Sequence, residues 1–294
     1  MIRLTEVNKL YNQFAAVSAL NLEVNDGEIM GIIGHNGAGK TTTLKMIAGL
    51  IAPTSGTVEV MGKDIARHSI EIKKQLGFLP EESPLYDSMT VTEYLLFFSE
   101  LYSLPRKTAH ERIDLLLSSL DLDARNKCTG ELSKGMKRKV AIARTLLHDP
   151  TLLILDEPNS GLDPLTSFFI IDYLKKLRSQ GKTILLSAHN LFHIEYICDR
   201  VAIMKQGKLL VCDTMPELVK KLGKREYQVI FRADQELGYE QQDGSYRLKT
   251  ADIDEIAGVL RQISERNWTL VDLTMSQSAL EEIYVNLMTG VCAA

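Results

Sequence analysis

Residues 34–41 read Gly34-His35-Asn36-Gly37-Ala38-Gly39-Lys40-Thr41, the spacing G-x-x-x-x-G-K-[ST]. A short apolar run, Ile29-Met30-Gly31-Ile32-Ile33, comes before it. Residues 41–50 follow with apolar positions at 44, 47, 48 and 50, a helical spacing. Glycines in such a loop let successive backbone N–H groups turn inward as an anion nest, which the N-terminus of the next helix completes. Lys40 is then in reach of the β- and γ-phosphates of a nucleotide, and the Thr41 hydroxyl can ligate Mg2+. Thr42 belongs to the same phosphate-binding set. Further along, Leu152-Leu153-Ile154-Leu155 is an apolar strand ending in Asp156-Glu157. After a phosphate loop, an Asp at such a strand end holds Mg2+, usually through water, and a Glu beside it can polarise an attacking water as general base. Alone, an Asp-Glu pair after a strand reads as a solvated turn. With the loop present, these residues make a nucleotide phosphate site.

The elements that must position them are legible as patterns. Ile2, Leu4 and Val7, and then residues 19–24, alternate as strands, with polar turns around Asn12 and Asp26-Gly27. Residues 90–150 turn helical. Thr90 and Glu93 make a capping box ahead of Tyr94-Leu95-Leu96-Phe97-Phe98, Pro105 breaks that helix, and Ile113, Leu116, Leu117 and Leu120 share a face. Then come a strand at 152–155, a helix at 164–180 closed by Gly181, a strand at 183–187 and a hairpin about Gln206-Gly207. Alternating strands and helices, interrupted by an all-helical insert, predict an α/β core with a helical subdomain. Beyond about residue 224, Tyr227, Val229 and Phe231 alternate as a strand and residues 238–247 read as a polar loop. Ile253, Ile256, Leu260 and Ile263 fit an amphipathic helix, residues 268–273 a strand, and Leu280, Ile283, Tyr284 and Leu287 a last helix ended by Gly290. This tail reads as a small α+β domain.

Three further segments narrow the enzyme class. Leu132-Ser133-Lys134-Gly135-Met136-Lys137-Arg138 lies before the carboxylate pair, Ser160-Gly161-Leu162-Asp163 after it, and His189 at the end of the next apolar strand. In order and spacing the chain resembles the ATP-binding cassette (ABC) ATPases over residues 1 to about 222, through Walker A, Q-loop, signature, Walker B, D-loop and H-loop motifs. The resemblance implies a P-loop NTPase of the ABC fold, a RecA-like core with an antiparallel β subdomain and a helical subdomain at about 82–150. That ATPase domain would span 1–222, with 223–294 as the small C-terminal α+β domain. It implies ATP and Mg2+ as cofactors and Tyr11 as the aromatic stacked on adenine. Ser133 and Gly135 are implied to touch the γ-phosphate of ATP held by a second subunit, with Asp163 linking the two sites. His189 is implied to contact the γ-phosphate and orient the water near Glu157. Two departures stand out. The signature reads Ser-Lys-Gly-Met for the usual Ser-Gly-Gly-Gln, and the Q-loop, Gly77-Phe78-Leu79-Pro80-Glu81-Glu82, carries Glu81 where glutamine is usual. A carboxylate still ligands Mg2+, so Glu81 is expected at the metal and in catalysis, with its charge altering the coupling of ATP to the partner.

Composition bounds the rest. At 294 residues, 45% hydrophobic and 24% charged, the chain has the length of two domains and the apolar content of a folded core. Its net charge of −4 offers no global positive field for nucleic acid. Cys128, Cys198, Cys212 and Cys292 form no C-x-x-C pair, which argues against a zinc knuckle or disulfide framework and fits a reducing compartment. No signal peptide and no membrane span is evident, so the expected location is cytoplasmic, peripheral on the cytosolic face of the cell membrane, with the pore on another polypeptide. The run from Leu155 to Pro164, the Lys-Gly-Met signature and the tail Ala279-Leu280-Glu281-Glu282-Ile283-Tyr284 look like ATPases paired with ABC-2-type export permeases. Expected partners are a second ATPase subunit, as a homodimer, and that integral membrane permease, with no nucleic acid. The alternative is a soluble ABC ATPase acting mechanically on ribosomes or nucleic acid, but such proteins usually fuse two cassettes or carry long coiled-coil insertions. A nucleotide-binding module without turnover is opposed by intact Asp156, Glu157 and His189. His189 and His193 are four apart, yet Asn190 breaks H-E-x-x-H and no third ligand is evident. Lys134, Lys137, Arg138 and Lys139 read as the solvated face of the signature helix. Phe97, Phe98 and Tyr102 read as core packing or, with Tyr86, as the surface that receives a coupling helix of the membrane subunit.

Overall fold

Ile2, Leu4 and Val7 are buried while their neighbours face out, and this alternation builds β1 (Ile2–Tyr11). In the computed structural model, which describes residues 1–223, 225–235, 237–242 and 244–290, β1 turns at Asn12 (φ 53°) into β2 (Phe14–Val24). The fully buried β3 (Ile29–Ile33) then runs through the glycine loop into α1 (Lys40–Ile47). Next come β4 (Ser55–Val60), β5 (Lys63–Asp64), α2 (Ile65–Lys73) and β6 (Leu76–Leu79). The helical stretch holds α3 (Val91–Leu101), α4 (Arg106–Ser119) and α5 (Lys134–Leu146). The capping box at α3 is present: Glu93 N–H donates to the Thr90 hydroxyl, and Thr90 N–H donates to the Glu93 carboxylate at 2.8 Å. There follow β7 (Leu152–Asp156), α6 (Pro164–Ser179), β8 (Thr183–Ser187), α7 (Leu191–Ile197), β9 (Arg200–Lys205) and β10 (Lys208–Thr214).

These elements make two sheets. A four-stranded antiparallel sheet has the order β2-β1-β4-β5, and a six-stranded sheet has the order β10-β9-β3-β8-β7-β6, parallel except for the edge strand β10. One buried cluster joins them, with Val7, Val17, Leu20 and Val58 of the first sheet meeting Met30 and Ile32 of the second and Leu44 and Ile47 of α1. β3, β7 and β8 are buried at every position, which explains why they read as continuous apolar runs. Parallel pairing brings the C-terminal ends of β3, β6, β7 and β8 to one edge of the sheet. Gly34, Glu81, Asp156-Glu157 and His189 all follow from that edge.

The chain divides into Met1–Thr214 and Met215–Ala294. The second unit contains α8 (Met215–Leu222), β11 (Arg225–Arg232), β12 (Glu240–Gln242), β13 (Ser245–Thr250), α9 (Ile253–Glu265), β14 (Thr269–Gln277) and α10 (Leu280–Thr289). Its antiparallel sheet, β12-β13-β11-β14, packs Val229, Phe231 and Tyr246 against Ile256, Val259 and Ile263 of α9. Trp268 stacks on Phe231 with ring centroids 5.5 Å apart. Two sequence readings differ here. Residues 238–247, expected as loop, hold β12 and the start of β13, because Gly244 (φ 71°) turns the chain and Tyr246 faces the core. The division falls between Thr214 and Met215, so α8 groups with the C-terminal unit, where it packs on α10. Cys128, Cys198 and Cys212 are free thiols, and Cys292 lies outside the described residues. Among the described residues no helix is long and apolar enough to cross a membrane.

Candidate nucleotide site

A cleft of about 390 Å³ is lined by Tyr11, Phe14, Ala16, Asn36, Gly37, Ala38, Gly39, Lys40, Thr41, Thr42, Glu81, Glu157 and His189. Its floor is the glycine loop. Gly39 adopts φ +99°, and a Cβ there would stand 2.5 Å from the Ala16 carbonyl oxygen, so the loop passes β2 only as glycine. Ala38 N–H donates to the His35 carbonyl at 3.0 Å, closing the turn. α1 starts at Lys40 with neither a capping side chain nor an acidic residue in its first turn, which leaves its electropositive end open to an anion. Lys40 is buried and folds back over the loop, where Nζ donates to the carbonyls of Gly34 (2.7 Å) and His35 (3.4 Å). Burial lowers the pKa of this ammonium, and Glu157, Asp156 and Glu81 oppose the shift.

The wall beside the loop is acidic, lined by Glu81 and Glu157, with Asp156 preceding Glu157 in the chain but not lining the cleft. Asp156 and Glu157 are 2% and 4% exposed. Ser187, the last residue of β8, joins them, donating its hydroxyl to Asp156 Oδ1 (2.5 Å) and accepting Glu157 N–H (3.0 Å). Glu157 stands at φ +48°, a left-handed conformation that a side chain holds only when its surroundings impose it. Its Oε2 accepts His189 N–H at 3.2 Å. Its Oε1 lies 3.2 Å from His189 Nε2 without hydrogen-bond alignment, and is buried with no partner. Burial pushes the Glu157 carboxyl up to about 7, against the pull of Lys40. The His189 ring is pushed down, by burial first and then by Lys40. A buried carboxyl titrating near neutrality beside a phosphate loop suits proton abstraction from water.

The remaining motif residues lie elsewhere. Ser133 caps α5, accepting Met136 N–H at 3.3 Å, and Asp163 caps α6, accepting Thr166 N–H at 3.0 Å. Neither these two nor Gly135 lines the cleft. Thr41, Asp156 and Glu81 offer only oxygen donors, and no group of three or more His, Cys, Asp or Glu is gathered for a metal among the described residues. That donor set fits a hard cation such as Mg2+, which takes its other ligands from phosphate and water. His189 precedes α7, whereas His193 within it accepts from Asn159 Nδ2 at 2.6 Å, so the two histidines are not a ligand pair.

Two residues escaped the sequence reading and a third was misplaced by it. Phe14 lies directly across the hairpin from Tyr11, a signal present in the two-residue turn between them. Ser187 is an ordinary end to an apolar strand. Arg138 corrects an expectation: it is not on a solvated face but 8% exposed, with its guanidinium among main-chain carbonyls. The aromatic stripe is only partly core: Phe98 is half-buried against the buried Tyr94, while Tyr86, Phe97 and Tyr102 are 49%, 37% and 39% exposed, Tyr86 meeting Tyr94 and Phe97, and Tyr102 stacked on His148.

Residues 17–160 match the family model described as ABC transporter. The bacitracin transport ATP-binding protein BcrA of Bacillus licheniformis is 34% identical over 308 residues, which cover 99% of this chain and 98% of that protein. The chain belongs to the ABC transporter ATP-binding proteins. The ABC transporter ATP-binding protein NatA of Bacillus subtilis is 37% identical over 79% of this chain and 96% of its own length. Among solved structures, dimeric MJ0796, a bacterial ABC transporter cassette, is 27% identical with a TM-score of 0.68, covering 73% of this chain and 99% of that one. The same cassette in a dimeric post-hydrolysis state with ADP and Pi gives a TM-score of 0.67. This chain is therefore an ABC-type ATPase with the cassette fold, a nucleotide-binding subunit whose ATP hydrolysis is coupled to transport.

Proposed function

We propose that this ABC ATPase drives export through a separate ABC-2-type permease, docked on the cytosolic face of the membrane, as a homodimer that closes on two ATP molecules. One observation carries the dimer. Tyr11, the loop, Glu81, Glu157 and His189 share a cleft, while Ser133, Gly135 and Asp163 sit outside it at the starts of two other helices. A site split this way is completed by the α5 start of a second copy, whose N-terminal amides suit a phosphate.

In this reading Tyr11 and Phe14 hold the base, and the loop amides and Lys40 hold the phosphates, Lys40 first releasing the Gly34 and His35 carbonyls. Thr41, Asp156 and Glu81 are the residues that would hold Mg2+, which would neutralise charge on the phosphates. Glu157 removes the proton from the attacking water, and His189 orients that water and the γ-phosphate. Export is supported by relatives named for bacitracin transport and for linearmycin resistance, the latter LnrL of Bacillus subtilis at 35% identity. The exposed aromatics Tyr86, Phe97 and Tyr102 are the surface we assign to the permease, and the small C-terminal domain, residues 223–294, is taken as a packing or dimerisation appendage.

The test compares wild type with Glu157→Gln by size-exclusion chromatography with light scattering, beside hydrolysis rates. ATP-dependent dimers of the variant, turnover in the wild type and recovery of an integral membrane protein from native membranes are expected. Monomers throughout, or no membrane protein recovered, would overturn the dimer or the permease respectively.

A further inference from the structure

Ser133 caps α5, which little more than one turn later carries Arg138 inward. Nη1 of Arg138 donates to the carbonyls of Pro80 (2.9 Å) and Glu81 (3.0 Å), Nη2 to those of Asp156 (3.1 Å) and Glu157 (2.7 Å), and Nε to that of Pro158 (2.7 Å). A guanidinium has five N–H donors, and here each meets a main-chain oxygen from one of two loops. A buried cation held by main-chain carbonyls, with the carboxylates of Asp156, Glu81 and Glu157 near enough to favour its charge, is a poor source of stability beside an apolar side chain of the same volume, so the arrangement calls for another role. Both loops carry an acid that lines the cleft, Glu81 and Glu157, and Glu157 holds a strained φ of +48°.

We infer that Arg138 is a positioning residue, a clamp that fixes the backbone under Glu81 and Glu157 to α5, so that whatever anion seats at Ser133 moves both acids as one body. The part concerning the anion rests on the dimer proposed above, whereas the clamp lies within one chain. Lysine keeps the charge but donates from a single point and cannot span both loops.

The experiment uses full-length Arg138→Gln and Arg138→Lys, measuring kcat and KM for ATP, ATP affinity, the unfolding midpoint and amide exchange at residue 157. Both variants are expected to bind ATP within about threefold of wild type and to lose about a hundredfold in kcat, as misplaced catalytic groups do. Exchange should quicken at the buried Glu157 amide, which the Ser187 hydroxyl holds. The lysine variant, being charged and foldable, carries the test where glutamine does not fold. Wild-type kcat in either variant, a loss confined to KM, or unchanged exchange at 157 overturns the clamp. A wild type without turnover would instead count against the transport reading, and exchange would still decide Arg138.

Discussion

Burial holds the Glu157 carboxyl up to about 7, and a protonated carboxyl takes no proton from water. The rate of ATP hydrolysis should therefore climb through pH 7 and level off above it, and Glu157→Gln should abolish this limb along with turnover while sparing ATP affinity, as rate and binding titrations will show. The same shift has a stability sign. Its folded pKa is raised above the unfolded 4.5, so the native state binds more protons in that window and loses stability as pH rises from about 4.5 to 7. Glu157→Gln should then melt above wild type at pH 8 and close to it at pH 4. Ser187→Ala strands the buried Glu157 N–H and Asp156 Oδ1 and should cost about 1–3 kcal/mol in denaturant titrations, with a fall in kcat. Sequence named Glu157 because its loop and strand are contiguous patterns. Ser187 and Arg138 were illegible because their partners are a distant strand end and main-chain oxygens, which carry no residue identity.

α5 lies against β6 at Gly77, where a Cβ would meet the Thr145 carbonyl oxygen at 2.7 Å and Leu153 Cδ2 at 2.9 Å. Gly77→Ala must push that helix off its strand, and since Arg138 rides on α5, kcat should fall further than ATP affinity in steady-state and binding assays. Thr90→Ala is the contrast. It removes the capping box of α3 at a cost of about 1 kcal/mol, readable as a lower melting midpoint with ATP affinity unchanged. That box was legible because four residues at fixed spacing specify it, and β3, β7 and β8 were legible because buried parallel strands are unbroken apolar runs. β6, only Leu76-Gly77-Phe78-Leu79, is too short to carry a period. β13 was hidden for a similar reason, since its outward half, including Arg247 and Lys249, is polar.

The whole nucleotide cleft lies in Met1–Thr214, so a fragment ending at Thr214 should bind ATP with the affinity of the full chain in calorimetry. A fragment ending at Leu222 keeps α8 without α10, and Leu218, fully buried in the intact chain, should make that fragment the more prone to aggregate in light scattering. The strand order of the six-stranded sheet carries one more implication. β3 pairs with β8 on one side and β9 on the other, and both are translated long after it. On the ribosome the strand that leads into the phosphate loop therefore waits with both edges open, and open apolar edges are where nascent chains associate wrongly. A ribosome stalled before residue 183 would display a chain with every loop glycine and Lys40 already made, and no neighbouring strand to hold them in place.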